Sequence, residues 1–114
     1  MPTLRILTNT AVPVERRMEL LTQCSRSVAT MLGKPESYVM VILEDGRDLM
    51  FAGTTEPAAY LELKSLGLPE TRTAEYSRTL CDLLTEAFSI PAGRVYVEFA
   101  DAQRHMWGWN GGTF

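Results

Sequence analysis

The chain opens on an alternation. Thr3-Leu-Arg-Ile-Leu-Thr8 sets apolar against polar residues at nearly every second position, which is the period of a β-strand. Helical periodicity follows, with Met18, Leu21, Ser25, Val28 and Leu32 recurring at steps of three and four. Gly33 stands where a helix C-cap belongs, and Pro35 turns the chain into Tyr38–Leu43, rich in β-branched and aromatic residues. The grammar then repeats. Tyr60–Ser65 is extended, and Pro69 introduces a second amphipathic segment marked by Ser77, Leu80, Leu84, Ala87 and Phe88. Pro91 leads into Arg94–Phe99. Between the halves, Asp45-Gly46 predicts a turn and Leu49–Ala52 a short strand.

One shift relates the halves. Pro13 and Pro69 lie 56 positions apart, as do Pro35 and Pro91, and the same shift lays Val39, Val41 and Leu43 onto Val95, Val97 and Phe99. It also lays Leu4 and Leu7 onto Tyr60 and Leu63. The reading is an α+β domain spanning residues 1–114, built from two β-α-β repeats at about 3–43 and 59–99. A four-stranded mixed sheet with two helices on one face is expected, with parallel pairing inside each repeat.

Two helices leave the other face of such a sheet bare. Yet Tyr38-Val-Met-Val-Ile-Leu43 is apolar at both parities, as in a strand buried on both sides. A homo-oligomer that packs its sheets inward resolves the conflict, since a monomer would expose a large apolar patch.

Composition narrows the function. The 114 residues carry 11 basic and 14 acidic side chains, a net charge of −3, and no long run of either sign, so the basic stripe of a nucleic-acid binder is missing. No apolar run approaches the roughly 20 residues that span a bilayer, and the N-terminus turns polar too soon for a secretory signal. A soluble, cytoplasmic protein is expected, with signal-independent export left open. Cys24 and Cys81 form no CxxC motif and read as two buried thiols. His105 is the single histidine, so a His/Cys metal site has almost no material; no metal is implied.

Pro2 is the most distinctive chemical feature. Removal of Met1, usual before a small residue, leaves a secondary amine at the chain terminus. Such an amine cannot form a neutral imine with a keto acid, which favours proton transfer. An α-amino group titrates near 7.7–8.0, and burial with a nearby cation would turn it into a base at neutral pH. Lys34, directly after the first helix, is the candidate cation, although a helix-end lysine is ordinarily just solvated. Tyr96 and Glu98 share one face of the last main strand, and both tryptophans, Trp107 and Trp109, sit in a glycine-rich tail. Aromatics there cap a core, seal an interface or wall a pocket.

Together these features resemble the macrophage migration inhibitory factor family of the tautomerase superfamily, nearly end to end. The resemblance rests on Pro2 behind the initiator Met, the Asn9–Pro13 loop, Gly33-Lys-Pro-Glu-Ser-Tyr38, Glu56-Pro57 and Ser65-Leu-Gly67. Tyr76-Ser77, Arg94-Val-Tyr-Val97, Gly108-Trp-Asn110 and Thr113-Phe114 extend it. It implies a homotrimeric barrel with helices outside and active sites between subunits. Pro2 would be the general base. Lys34 and the Leu66 backbone would hold a substrate carboxylate, and a neighbour's Tyr96 would line the aromatic end. Trp107 falls where the family has a smaller rim residue. The implied reaction is keto–enol tautomerisation of aryl pyruvates such as phenylpyruvate, and of dopachrome-like compounds, without a cofactor. The alternative implied by the same resemblance is a cytokine-like, receptor-binding module in which catalysis is incidental. Two departures matter. Pro57-Ala-Ala-Tyr-Leu61 replaces the CxxC of animal members, so their thiol-oxidoreductase activity is not expected. Glu98 replaces a common asparagine, and its carboxylate would favour the Pro2 ammonium and repel an anionic substrate.

Overall fold

The computed structural model describes residues 1–114. Its main elements are β1 (Thr3–Thr8), α1 (Val14–Leu32), β2 (Met40–Glu44), β3 (Ala59–Leu66), α2 (Thr73–Phe88) and β4 (Val95–Ala102). A C-terminal hairpin, β5 (Gly108–Trp109) and β6 (Gly112–Thr113), follows. The four long strands form one mixed sheet in the order β2-β1-β3-β4. Each repeat pairs its own strands in parallel, and β1 meets β3 antiparallel at the centre.

The pleat decides what is buried. Leu4, Ile6 and Thr8 of β1, with Leu61, Leu63 and Ser65 of β3, point to one face and are essentially inaccessible. Leu20, Cys24 and Val28 of α1 and Tyr76, Leu80 and Leu84 of α2 cover them. Each large apolar side chain so buried contributes about 1.5–3 kcal/mol. Thr8 is tolerated there because its hydroxyl donates to the Ala58 carbonyl at 2.7 Å.

Several sequence expectations need correction. Strand β1 pairs residue 3 with residue 40, but β3 pairs residue 59 with residue 95, so the offset is one shorter in the second repeat. The 56-position shift therefore holds from Pro13 onward and fails for the opening strands. Leu4 is buried while Tyr60 lies on the opposite face, and a one-residue slip inverts every side chain of a strand. The missing residue falls between strand and proline, where Asn9–Val12 is matched only by Leu66–Leu68. Met18 is 73% exposed and is not part of the α1 core stripe, which runs through Leu20 instead. Tyr38 belongs to a 3-10 turn, Glu36–Tyr38, rather than to β2. Leu49–Ala52 forms no strand, only one bridge between Phe51 and Thr54 around the positive-φ pair Ala52-Gly53.

The same side-chain bracket closes both repeats. Asp45 accepts the Val12 N–H at 2.7 Å, and Asp101 accepts the Leu68 N–H at 3.1 Å. Asp45 also pairs with Arg17 at 2.8 Å, so it ties the first strand–helix loop to the end of β2. Helix ends match as well: Gly33 and Ser89 both adopt left-handed backbone after their helices.

The second face of the sheet carries no helix. Met40 is 58% and Tyr96 64% exposed there. Between them run Arg5 paired with Glu44, Lys64 paired with Glu62, and the Tyr60 hydroxyl donating to the Glu98 carboxylate. No helix is long and apolar enough to cross a membrane.

Candidate active site

The β1–β3 register places the chain start. Thr3 pairs with Lys64, so Pro2 comes opposite Ser65 and Met1 opposite Leu66 as the register continues. Pro2 is fully buried, and its carbonyl accepts the Met40 N–H at 3.0 Å, fixing the ring from the β2 side as well. With Met1 attached, the Pro2 nitrogen is a tertiary amide with no basicity. The terminal amine one residue earlier reports on the surroundings. Its pKa is lowered, first by burial, then by the charge of Lys34 and then by that of Arg104.

Lys34 reaches this point because α1 stops abruptly. Gly33 turns left-handed at φ 62°, and the Gly33 and Lys34 N–H groups close on the Thr30 and Ala29 carbonyls. Lys34 is thereby brought beside the start of β1. Leu66, at the end of β3, is buried, with the Ser65 hydroxyl lying 3.4 Å from its carbonyl. Pro2, Lys34 and Leu66 thus meet at one end of the sheet.

Tyr96 and Glu98 do not join them within one chain. Ser65, opposite Pro2, pairs with Asp101 of β4, and Tyr96 lies five residues back along that strand. At about 3.3 Å per residue this is roughly 17 Å, and Glu98 lies about 10 Å away. Tyr96 packs edge-on against Phe51, with ring centroids 4.9 Å apart. Glu98 faces Tyr60, whose phenol is pushed up to about 12, chiefly by donating to that carboxylate. Both residues lie on the uncovered face of the sheet.

Trp107 is half-buried between the Arg104–Met106 turn and β5, and its carbonyl accepts the Phe114 N–H at 3.1 Å. Three aromatics that the sequence reading did not bring together cluster nearby. Trp109 stacks on Phe114 at 5.4 Å, and Tyr38 meets both rings edge-on at 5.3 and 5.7 Å. Tyr38 belongs to the turn that follows Lys34-Pro35, so the cluster extends the same end of the sheet. Asn110-Gly111, both at positive φ, makes the tight hairpin turn that brings Phe114 back. Arg104 was missed too, because a lone arginine between strand and tail carries no periodic signal. A cleft lined by Val12, Pro13, Arg16, Leu20 and Phe88 lies on the helix side and contains none of these residues.

Known proteins share the sequence pattern and the fold. The profile of the family described as macrophage migration inhibitory factor matches residues 1–114. A macrophage migration inhibitory factor homolog of Trichuris trichiura is 39% identical over 108 residues, covering 93% of this chain and 95% of that protein. Macrophage migration inhibitory factor of Xenopus tropicalis is 35% identical, covering 100% of this chain and 99% of the frog protein. Among solved structures, a homologue from Prochlorococcus marinus superposes with a TM-score of 0.92 at 40% identity, covering 98% of each chain. The Trichinella spiralis protein follows at 0.91 and 34%, covering 98% of this chain and 99% of its own. The chain belongs to the macrophage migration inhibitory factor family, within the tautomerase superfamily of isomerases.

Proposed function

We propose that the chain, once Met1 is removed, is a keto–enol tautomerase of aryl pyruvates of the phenylpyruvate type, extending to dopachrome-like compounds. The observation that carries this reading is the setting of the terminal amine. It is partly buried, close to Lys34, in line with the Leu66 backbone, and lowered in pKa by that setting.

The proton inventory is simple. The Pro2 nitrogen takes a proton from the carbon next to the substrate carbonyl. The C–H electron pair becomes the C=C bond, and the carbonyl π pair moves onto oxygen. The Pro2 ammonium then returns its proton to that oxygen, so the substrate and enzyme end with the protons they began with. Lys34 and the Leu66 backbone hold the carboxylate, and Lys34 offsets the developing enolate charge. The aromatic part lies toward Tyr38, Trp107 and Trp109 on one side and a neighbour's Tyr96 and Glu98 on the other.

A homotrimer belongs to this proposal. It covers the sheet face that holds Met40, Ile42 and Tyr96, and it supplies Tyr96 to a Pro2 that its own chain cannot reach. The test is phenylpyruvate turnover by purified trimers of wild type and Pro2→Gly. Loss of activity by about two orders of magnitude or more is expected for removal of a general base. Unchanged turnover in folded Pro2→Gly trimers would exclude Pro2 as the base.

A further inference from the structure

Arg104 stands apart from most arginines that touch the sheet and its loops. Arg5, Arg17, Arg47 and Arg72 are each paired with a carboxylate, and Arg94 spends its guanidinium on the carbonyls of Phe51, Thr54, Glu56 and Pro57. Arg104 donates only its Nε, to the main-chain oxygen of the last residue, Phe114, at 3.1 Å, which leaves both terminal nitrogens without a protein partner.

Its position follows from the strand register. Leu66 pairs with Ala102, and Met1 continues opposite Leu66, so the three lie in one row across the sheet. Arg104 comes two residues beyond Ala102 and is anchored by Nε to the tail whose rings pack on Tyr38. Other charged groups at this end are otherwise engaged. Asp101 accepts the Leu68 N–H, Lys64 is paired with Glu62, and Glu36 accepts the Ser25 hydroxyl at 2.8 Å. His105 is exposed on the same turn. Lys34 and Arg104 are therefore two cations beside the chain start that no side-chain carboxylate pairs with.

We propose that Arg104 is a second anion-binding residue of the Pro2 site and makes it selective for 2-oxo acids that carry a second carboxylate. The inference rests on the tautomerase reading and deepens it. One cation suffices for the single carboxylate of an aryl pyruvate. A second, with two free N–H groups in a planar fork, matches another carboxylate bidentately. Lowering of the terminal amine's pKa by both cations agrees with the placement.

The test compares two unreactive ligands that differ by one carboxylate, phenylpropionate and phenylsuccinate. Binding is measured by calorimetry on Met1-free wild type, Arg104→Gln and Arg104→Lys. Wild type should prefer phenylsuccinate, and Arg104→Gln should lose about ten- to a hundredfold of affinity for it alone, as expected for a charge-assisted hydrogen bond. Arg104→Lys should recover most of that loss. In parallel, the pH dependence of labelling by an isothiocyanate should show the terminal amine titrating higher in Arg104→Gln than in wild type. A residue that merely tethers the tail would weaken both ligands alike, and that result overturns the proposal. So does a wild type with no preference between them. Full phenylpyruvate turnover by Pro2→Gly would instead remove the tautomerase reading, while the ligand ratio still reports on Arg104.

Discussion

The Tyr60 hydroxyl donates to the Glu98 carboxylate diagonally across the β3–β4 pair, on the face of the sheet that no helix covers. The register sets Glu62 directly opposite Glu98, so the phenol lies where two carboxylates would otherwise face each other. Donation holds the phenol neutral and pushes it up to about 12. A raised pKa contributes stability that is complete below the unfolded value near 10 and is lost as pH rises through the folded value. Wild type should therefore lose stability between about pH 10 and 12 more steeply than Glu98→Gln. Ultraviolet titration of the tyrosines, with urea melts across that range, checks it. Equal alkaline profiles for the two proteins would count against the bond.

Asp45 gives the opposite pH dependence. Its carboxyl is held below the usual range, first by the Val12 N–H and then, against the cost of burial, by Arg17. A depressed pKa contributes stability above the unfolded carboxylate value that is lost as pH falls through the folded one. Asp45→Ala should cost about 1–2 kcal/mol at neutral pH, discounted for the exposure of Arg17. The difference from wild type should shrink in acid. Denaturant unfolding at several pH values below neutrality measures both.

Lys34→Ala separates binding from folding. Lys34 has no ion-pair partner and ends a helix already capped by Gly33, so the melting temperature should barely move. The KM for phenylpyruvate should rise about tenfold if Lys34 holds the carboxylate. Because Lys34 lowers the terminal amine's pKa, its removal should move the acidic limb of kcat/KM to higher pH.

Burial pushes the Cys24 thiol up to about 11 and raises Cys81 as well. Thiolate is scarce at both sites, and both side chains are shielded. Native protein should label slowly with iodoacetamide and urea-unfolded protein at both positions. Mass spectrometry distinguishes the two.

The fold was legible because two periodicities and their repetition are local properties of the chain. What escaped was phase. A 56-position shift read from prolines carries through helices and closing strands, but a loop one residue shorter reverses the parity of Tyr60 relative to Leu4. Met18 fits a helical stripe as well as Leu20 does, and only the direction of the sheet chooses between them. At the site, Pro2 and Lys34 were legible through chemistry and family resemblance. The place of Arg104 and the packing of Trp109 on Tyr38 required the register and the tail hairpin, which bring together residues 71 or more positions apart.

The duplication has one further consequence. With the opening strands shifted by 57, Pro2 corresponds to Ala59, and with the helices shifted by 56, Lys34 corresponds to Ile90. At that opposite end the chain runs on through Pro57-Ala58 instead of ending, and Ile90 is completely buried. Two strand starts of nearly the same shape thus differ in having a terminus and a lysine. A circular permutant opening at Ala59, even with proline placed there, would have buried Ile90 where the first repeat has Lys34. Symmetry supplied the scaffold twice; a chain can begin only once.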